Sequence, residues 1–140
     1  MPKTELARAI ERWLADPESD VGYAEFLDGR WAVRMSQTVR DATTVWWTEG
    51  EKTLRAEAYV LPAPPARLDA VYRLCLKRNA DRHRAWFALD SEDAVVIRAR
   101  VPNGEVDAHV LDAVLGEIYL LVETTFPQLA KLAFEREKTV

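Results

Sequence analysis

The chain has 140 residues, 49 % of them hydrophobic and 30 % charged, which describes an ordinary globular chain and predicts a single domain over residues 1–140. One cysteine leaves neither a disulfide framework nor a thiolate metal cluster. The net charge of -4 argues against a general polyanion binder, because neutralising phosphates takes an excess of Lys and Arg.

Thr4 is placed to cap a first helix in which Leu6, Ile10, Trp13 and Leu14 recur at helical spacing, and Asp16-Pro17 stops it. Tyr23 to Leu27 and Arg30 to Met35 then alternate as a half-buried strand does, and Asp28-Gly29 supplies a turn or a bulge between them. Thr43 to Thr48 and Thr53 to Leu61 read as a hairpin about Glu49-Gly50-Glu51-Lys52. With Gly50 in a two-residue turn, Trp47 lies opposite Leu54 and Trp46 opposite Arg55; a four-residue loop keeps the same parity and a bulge reverses it. Leu54, Ala56, Ala58 and Val60 form the wholly apolar set of the second strand, so Trp47 is expected in the core and Trp46 on the outer face.

Pro62, Pro64 and Pro65 stiffen the connection to a second helix, Arg67 to about Asn79. Its apolar positions Leu68, Val71, Tyr72, Leu74, Cys75 and Leu76 cover an arc of about 200°, wider than one core contact requires. Ala85 to Leu89 and Ala94 to Val101 form a second hairpin. A three-residue loop aligns Phe87 and Leu89 with Ile97 and Val95, an even loop aligns Trp86 and Ala88 instead, and periodicity leaves both open. A last helix starts near Asp107, with cations Lys131, Arg136 and Lys138 late, and Pro127 is expected to kink or restart it. The order is α-β-β-β-α-β-β-α: an α+β fold with a curved antiparallel sheet of about five strands packed by helices.

No catalytic or cofactor motif emerges. Ser19, Ser36 and Ser91 sit in no nucleophile elbow, and the scattered glycines form neither a P-loop nor a dinucleotide fingerprint. His109 and Asp112, spaced i, i+3, give two ligands where a zinc site wants at least three, and Arg82 and Arg84 beside His83 oppose cation binding there. Cys75 belongs to an apolar helical stripe and reads as a small hydrophobe with a raised pKa. No catalytic, cofactor-binding or metal residue is therefore expected. The basic run Arg73, Lys77, Arg78, Arg82 and Arg84 reads as a solvated helix face, with a patch for an acidic peptide or a phosphate group as the alternative. Candidate interaction residues are Trp46, Arg55 and Tyr59 on the outer sheet face, with a cation–π contact between Arg55 and Trp46, and Leu74 and Leu76 on the second helix. The amino terminus lacks the basic start and apolar stretch of a signal peptide, and Asp107, Asp112 and Glu117 interrupt the most apolar tract, so a cytoplasmic location with no membrane contact is expected.

The stretch Trp31-Ala-Val-Arg-Met, the tract from Thr53 to Pro65, the run Val71 to Asn79, Phe87-Ala-Leu-Asp, Arg100-Val-Pro, Leu111-Asp, Leu115-Gly-Glu-Ile-Tyr and Val122-Glu resemble the actinobacterial branch of the YbjN-like family, described as sensory transduction regulators. The resemblance runs from about Trp31 to Phe134. It implies the fold of class I type III secretion chaperones, a binding or regulatory role for a protein or peptide partner, and a homodimer; it carries over no catalytic residue. Fold alone does not give function. The expected function is a non-enzymatic, chaperone-like protein-binding module, the alternative a small-molecule sensor or enzyme with a pocket between sheet and helices.

Overall fold

The computed structural model describes residues 3–135; Arg136 and Lys138 lie outside them. Six strands form one antiparallel sheet: β1 (Val21–Leu27), β2 (Arg30–Ser36), β3 (Ala42–Glu49), β4 (Thr53–Leu61), β5 (Ala85–Leu89) and β6 (Val95–Pro102), in the spatial order β1-β2-β3-β4-β6-β5. Three helices, α1 (Glu5–Ala15), α2 (Leu68–Asn79) and α3 (Ala108–Phe134), pack against one another and against one side of that sheet.

The sheet has one strand more than the expected five because Asp28-Gly29 makes a full reversal. Both residues have positive φ, 52° and 83°, and Leu27 pairs with Arg30, the arrangement of a two-residue type I′ turn that Asp-Gly favours. Gly22 is the extra residue of a bulge where Val21 pairs with Met35 and Tyr23 with Arg34.

In the central hairpin the parity is as expected and the register is not. Trp47 faces Ala56 and Trp46 faces Glu57, because the loop holds four residues, Gly50 to Thr53, between the paired Glu49 and Leu54. The longer loop is held from outside. Asn103 donates its side-chain amide to the carbonyls of Gly50 and Glu51 at 3.0 and 2.9 Å, and its backbone N–H donates to Lys52 O at 2.9 Å. A Cβ on Gly50 would lie 2.8 Å from Thr53 O, so this tight loop needs glycine there.

The second hairpin takes the odd loop. Phe87 pairs with Ile97 and Leu89 with Val95, Asp90 N–H donates to Ala94 O, and Asp93 adopts the left-handed conformation (φ 61°) that ends a three-residue connection.

Trp47, Val45, Val33 and Met35 from the sheet meet Leu6, Ile10 and Trp13 from α1 and Leu111, Val114, Ile118 and Leu121 from α3 in one continuous core. Thr4 caps α1 by accepting from Ala7 N–H at 3.1 Å, and Asp107 caps α3 by accepting from Val110 N–H at 2.8 Å. Helix α3 runs through Pro127 without the expected restart. Leu129 and Ala133 beyond it are fully buried, so tertiary packing carries the helix past the lost N–H donor.

The two margins of the sheet differ. Along β5, the side chain of Asn79 both accepts from Phe87 N–H (2.6 Å) and donates to Phe87 O (3.0 Å), while Glu117 of α3 accepts from the N–H groups of His83, Arg84 and Ala85. Along β1 the only such side-chain contact among the described residues is from Ser19, which takes Val21 N–H.

Candidate functional site

Because the helices all lie on one side, alternation along the strands leaves a second side of the sheet bare of helices, although Val96 on it is only 1 % exposed. Arg30, Ala32 and Arg34 of β2, Thr44, Trp46 and Thr48 of β3, Arg55, Glu57 and Tyr59 of β4, and Val96, Arg98 and Arg100 of β6 share this face through their cross-strand pairing. Trp86 of β5 joins it opposite Arg98. Trp46 is half-buried, and Tyr59 is 50 % exposed.

The cation on Trp46 is Arg30, not the expected Arg55. Its guanidinium carbon sits 4.0 Å from the ring centroid, because Arg55 lies opposite Thr48, one step along the sheet. Arg30, Trp46, Thr48, Arg55, Glu57, Arg98 and Arg100 line a shallow groove of about 380 Å³. Within it Arg98 Nε donates to Glu57 at 2.8 Å. The structure thus brings Trp46 and Arg55 to one groove and leaves Tyr59, further along β4, outside its lining. Arg30, Arg98, Arg100 and Trp86 were missed as members of this surface. The alternation Arg98-Ala99-Arg100, with Ala99 buried, is the signal that could have found two of them.

The second surface is on α2. Val71 and Cys75 are buried, Tyr72 and Leu74 are half-buried against the core, and Leu68 and Leu76 are exposed, Leu76 by 69 %. Of the two leucines singled out on this helix, Leu76 faces solvent and Leu74 does not. Tyr72, Arg73, Leu76 and Lys77 line a wide depression there. The basic run does not gather into one patch: Arg73 and Lys77 are exposed on α2, while Arg78 turns toward α3 and donates to Gln128 at 3.0 Å.

Other chemistry-bearing residues have structural partners. Asp112 accepts from the Trp13 indole at 2.8 Å and from Arg12 at 2.5 Å, tying α1 to α3. Burial pushes the Cys75 thiol up to about 11, away from thiolate chemistry at neutral pH. The backbone N–H of Thr38, then its hydroxyl, hold the Glu123 carboxyl down to about 2, with Gln37 and Tyr119 adding hydrogen bonds. No group of three or more His, Cys, Asp or Glu side chains among the described residues could hold a metal ion. No helix among them is long and apolar enough to cross a membrane.

The fold and this bare sheet face define an α+β protein of the type III secretion chaperone class of architecture. Two solved structures share it: a chain of the HopA1-SchA chaperone-effector complex (TM-score 0.55, 10 % identity, covering 89 % of this chain and 99 % of that one) and one of the heterodimeric ExoU-SpcU complex from the type III secretion system of Pseudomonas aeruginosa (TM-score 0.52, 15 % identity, 91 % and 99 %). At these identities the likeness is one of fold. Residues 7–131 match the YbjN family, described as "Putative bacterial sensory transduction regulator", and the chain belongs to that family. An uncharacterized protein of Mycobacterium leprae is 31 % identical over 121 residues, and uncharacterized proteins of Mycobacterium bovis and Mycobacterium tuberculosis are 32 % identical over 85 residues. Those matches take in 83 % of this chain and 66 % of the M. leprae protein, and 61 % of this chain and 46 % of each of the others.

Proposed function

We propose that this chain is a non-enzymatic, cytoplasmic regulatory module that binds a segment of another protein on the helix-free side of its sheet, around Trp46, Arg55 and Tyr59. The observation that carries the reading is the one-sided covering of the sheet, which leaves Trp46, Tyr59 and Trp86 with a set of arginines on an open surface. Aromatic residues and Arg are the types enriched where proteins meet, and they supply most of the anchoring side chains. Membership of a family described as regulatory and a fold shared with chains of chaperone–effector complexes support the same reading. The module works as a homodimer through α2, where Leu68 and Leu76 stand exposed and Leu76 lines a depression beside Tyr72.

Partner capture from the native cytosol, read by mass spectrometry and repeated with Trp46→Ala/Tyr59→Ala, tests the surface. Loss of a protein that the wild type retains is the expected result; undiminished retention by the folded double variant rejects this face as the contact.

A further inference from the structure

The bare sheet face carries a charge pattern of its own. Its side chains include Arg30, Arg34, Arg55, Arg98 and Arg100 against Glu25 and Glu57, a positive surface on a chain of net charge -4. Glu57 neutralises Arg98. Arg30, Arg55 and Arg100 make no ion pair among the described residues.

Two of these three are set directly against each other. Arg55 and Arg100 are cross-strand partners on β4 and β6, both exposed, with Thr48 of β3 opposite Arg55 on its other side. Side chains so paired have Cβ atoms about 4.5–5.5 Å apart, and like charges at that spacing destabilise a sheet. One residue pair along the same two strands, beyond the inward Ala56 and Ala99, Glu57 and Arg98 solve the same problem with opposite charges. The Arg100 guanidinium carbon also lies 5.9 Å from the centroid of the Trp86 ring on β5, a contact that leaves its charge without a carboxylate; a bridging anion would relieve the Arg55–Arg100 pair, and guanidinium groups match carboxylates in planar, bidentate geometry.

We infer that Arg55 and Arg100, with Arg30 at the side of the same groove, bind the carboxylates of an acidic, extended segment of the partner protein. This rests on the reading of the bare face as the protein-binding surface and names the chemistry of its partner. One feature of the groove favours a peptide over single-stranded nucleic acid: the Trp46 ring is already covered by Arg30, so a base has no free indole face to stack on there.

Fluorescence anisotropy with a short fluorescein-labelled peptide alternating aspartate and leucine, beside its asparagine counterpart and a labelled oligothymidylate, tests the inference. The aspartate peptide is expected to bind about tenfold or more tighter than the asparagine one. That advantage should shrink with salt and disappear in Arg55→Gln/Arg100→Gln, whose fold is checked by circular dichroism. Arg100→Gln alone serves if the double variant does not fold. Equal binding of the two peptides, an advantage kept in the variant, or tighter binding of the oligothymidylate overturns it. Where a native partner is lost by Trp46→Ala/Tyr59→Ala but kept by Arg55→Gln/Arg100→Gln, the acidic-segment inference fails and the protein-binding reading stands; where both variants keep it, the face itself is the wrong surface.

Discussion

Trp46 and Trp47 are adjacent in the chain and occupy opposite sides of the sheet. Trp47 is 1 % exposed and its ring lies 5.9 Å from that of Trp13, so Trp47→Ala is expected to cost about 3–5 kcal/mol as a large-to-small change in the core. Its indole N–H is buried without a partner. Trp47→Phe removes that unsatisfied donor along with part of the ring, and the two effects oppose, so the cost should fall well below that of alanine. Trp46→Ala, on the half-buried outer position, should cost less than half as much as Trp47→Ala; chemical denaturation of all three variants gives the comparison, and a larger loss at Trp46 would contradict the burial of the pair. A second residue ties stability to pH. Thr38 and Gln37 hold Glu123 ionised, with a folded pKa of about 2 against 4.5 for the free group. A depressed carboxylate contributes fully above its unfolded pKa and loses that contribution as pH falls through the folded one. Glu123→Gln is thus expected to be less stable than the wild type at neutral pH, with the gap closing between about pH 4.5 and pH 2; denaturation midpoints across that window measure it.

Among the elements, the short loops decide most of what could be read in advance. Asp28-Gly29 has the composition of a type I′ turn, yet the alternation on either side also fits one bulged strand, and only the pairing of Leu27 with Arg30 separates β1 from β2. The faces of β3 and β4 follow from their apolar alternation, so Trp47 inward and Trp46 outward were legible. The register was not, because Asn103, some fifty residues away, holds the four-residue loop. Likewise the outer arginines lie on three different strands, and their meeting depends on the insertion of β6 between β4 and β5, an order the chain does not announce. Glu117 is the same kind of long-range contact: from α3 it accepts from three successive N–H groups at the entry to β5. Leaving those donors without a partner by Glu117→Ala is expected to cost about 1–3 kcal/mol, since buried or half-buried N–H groups are expensive to leave unmade. Hydrogen exchange should then quicken at Arg84 and Ala85 while amides in the middle of β4 stay protected.

For the molecule as a whole, the exposed leucines of α2 and the arginine groove lie on different sides of the sheet, so the proposed self-association and the proposed partner binding do not compete. Leu76, 69 % exposed, is the residue that tests the proposed dimer. Sedimentation equilibrium at micromolar concentration should show a dimer for the wild type and a shift toward monomer for Leu76→Arg, without loss of fold, because the side chain makes no core contact to lose; a wild type that stays monomeric at high concentration rejects the α2 interface. The unequal margins of the sheet have a consequence for how copies can stack. A sheet with two free edges can add neighbours on both sides and grow without end, which is the route to fibres. Here Asn79 and Glu117 occupy the outward backbone groups at one margin, at Phe87 and Ala85, and β1 is left as the other. In edge-to-edge pairing such a molecule has a valence of one: two copies meeting through β1 would end the series, each serving as the other's stopper.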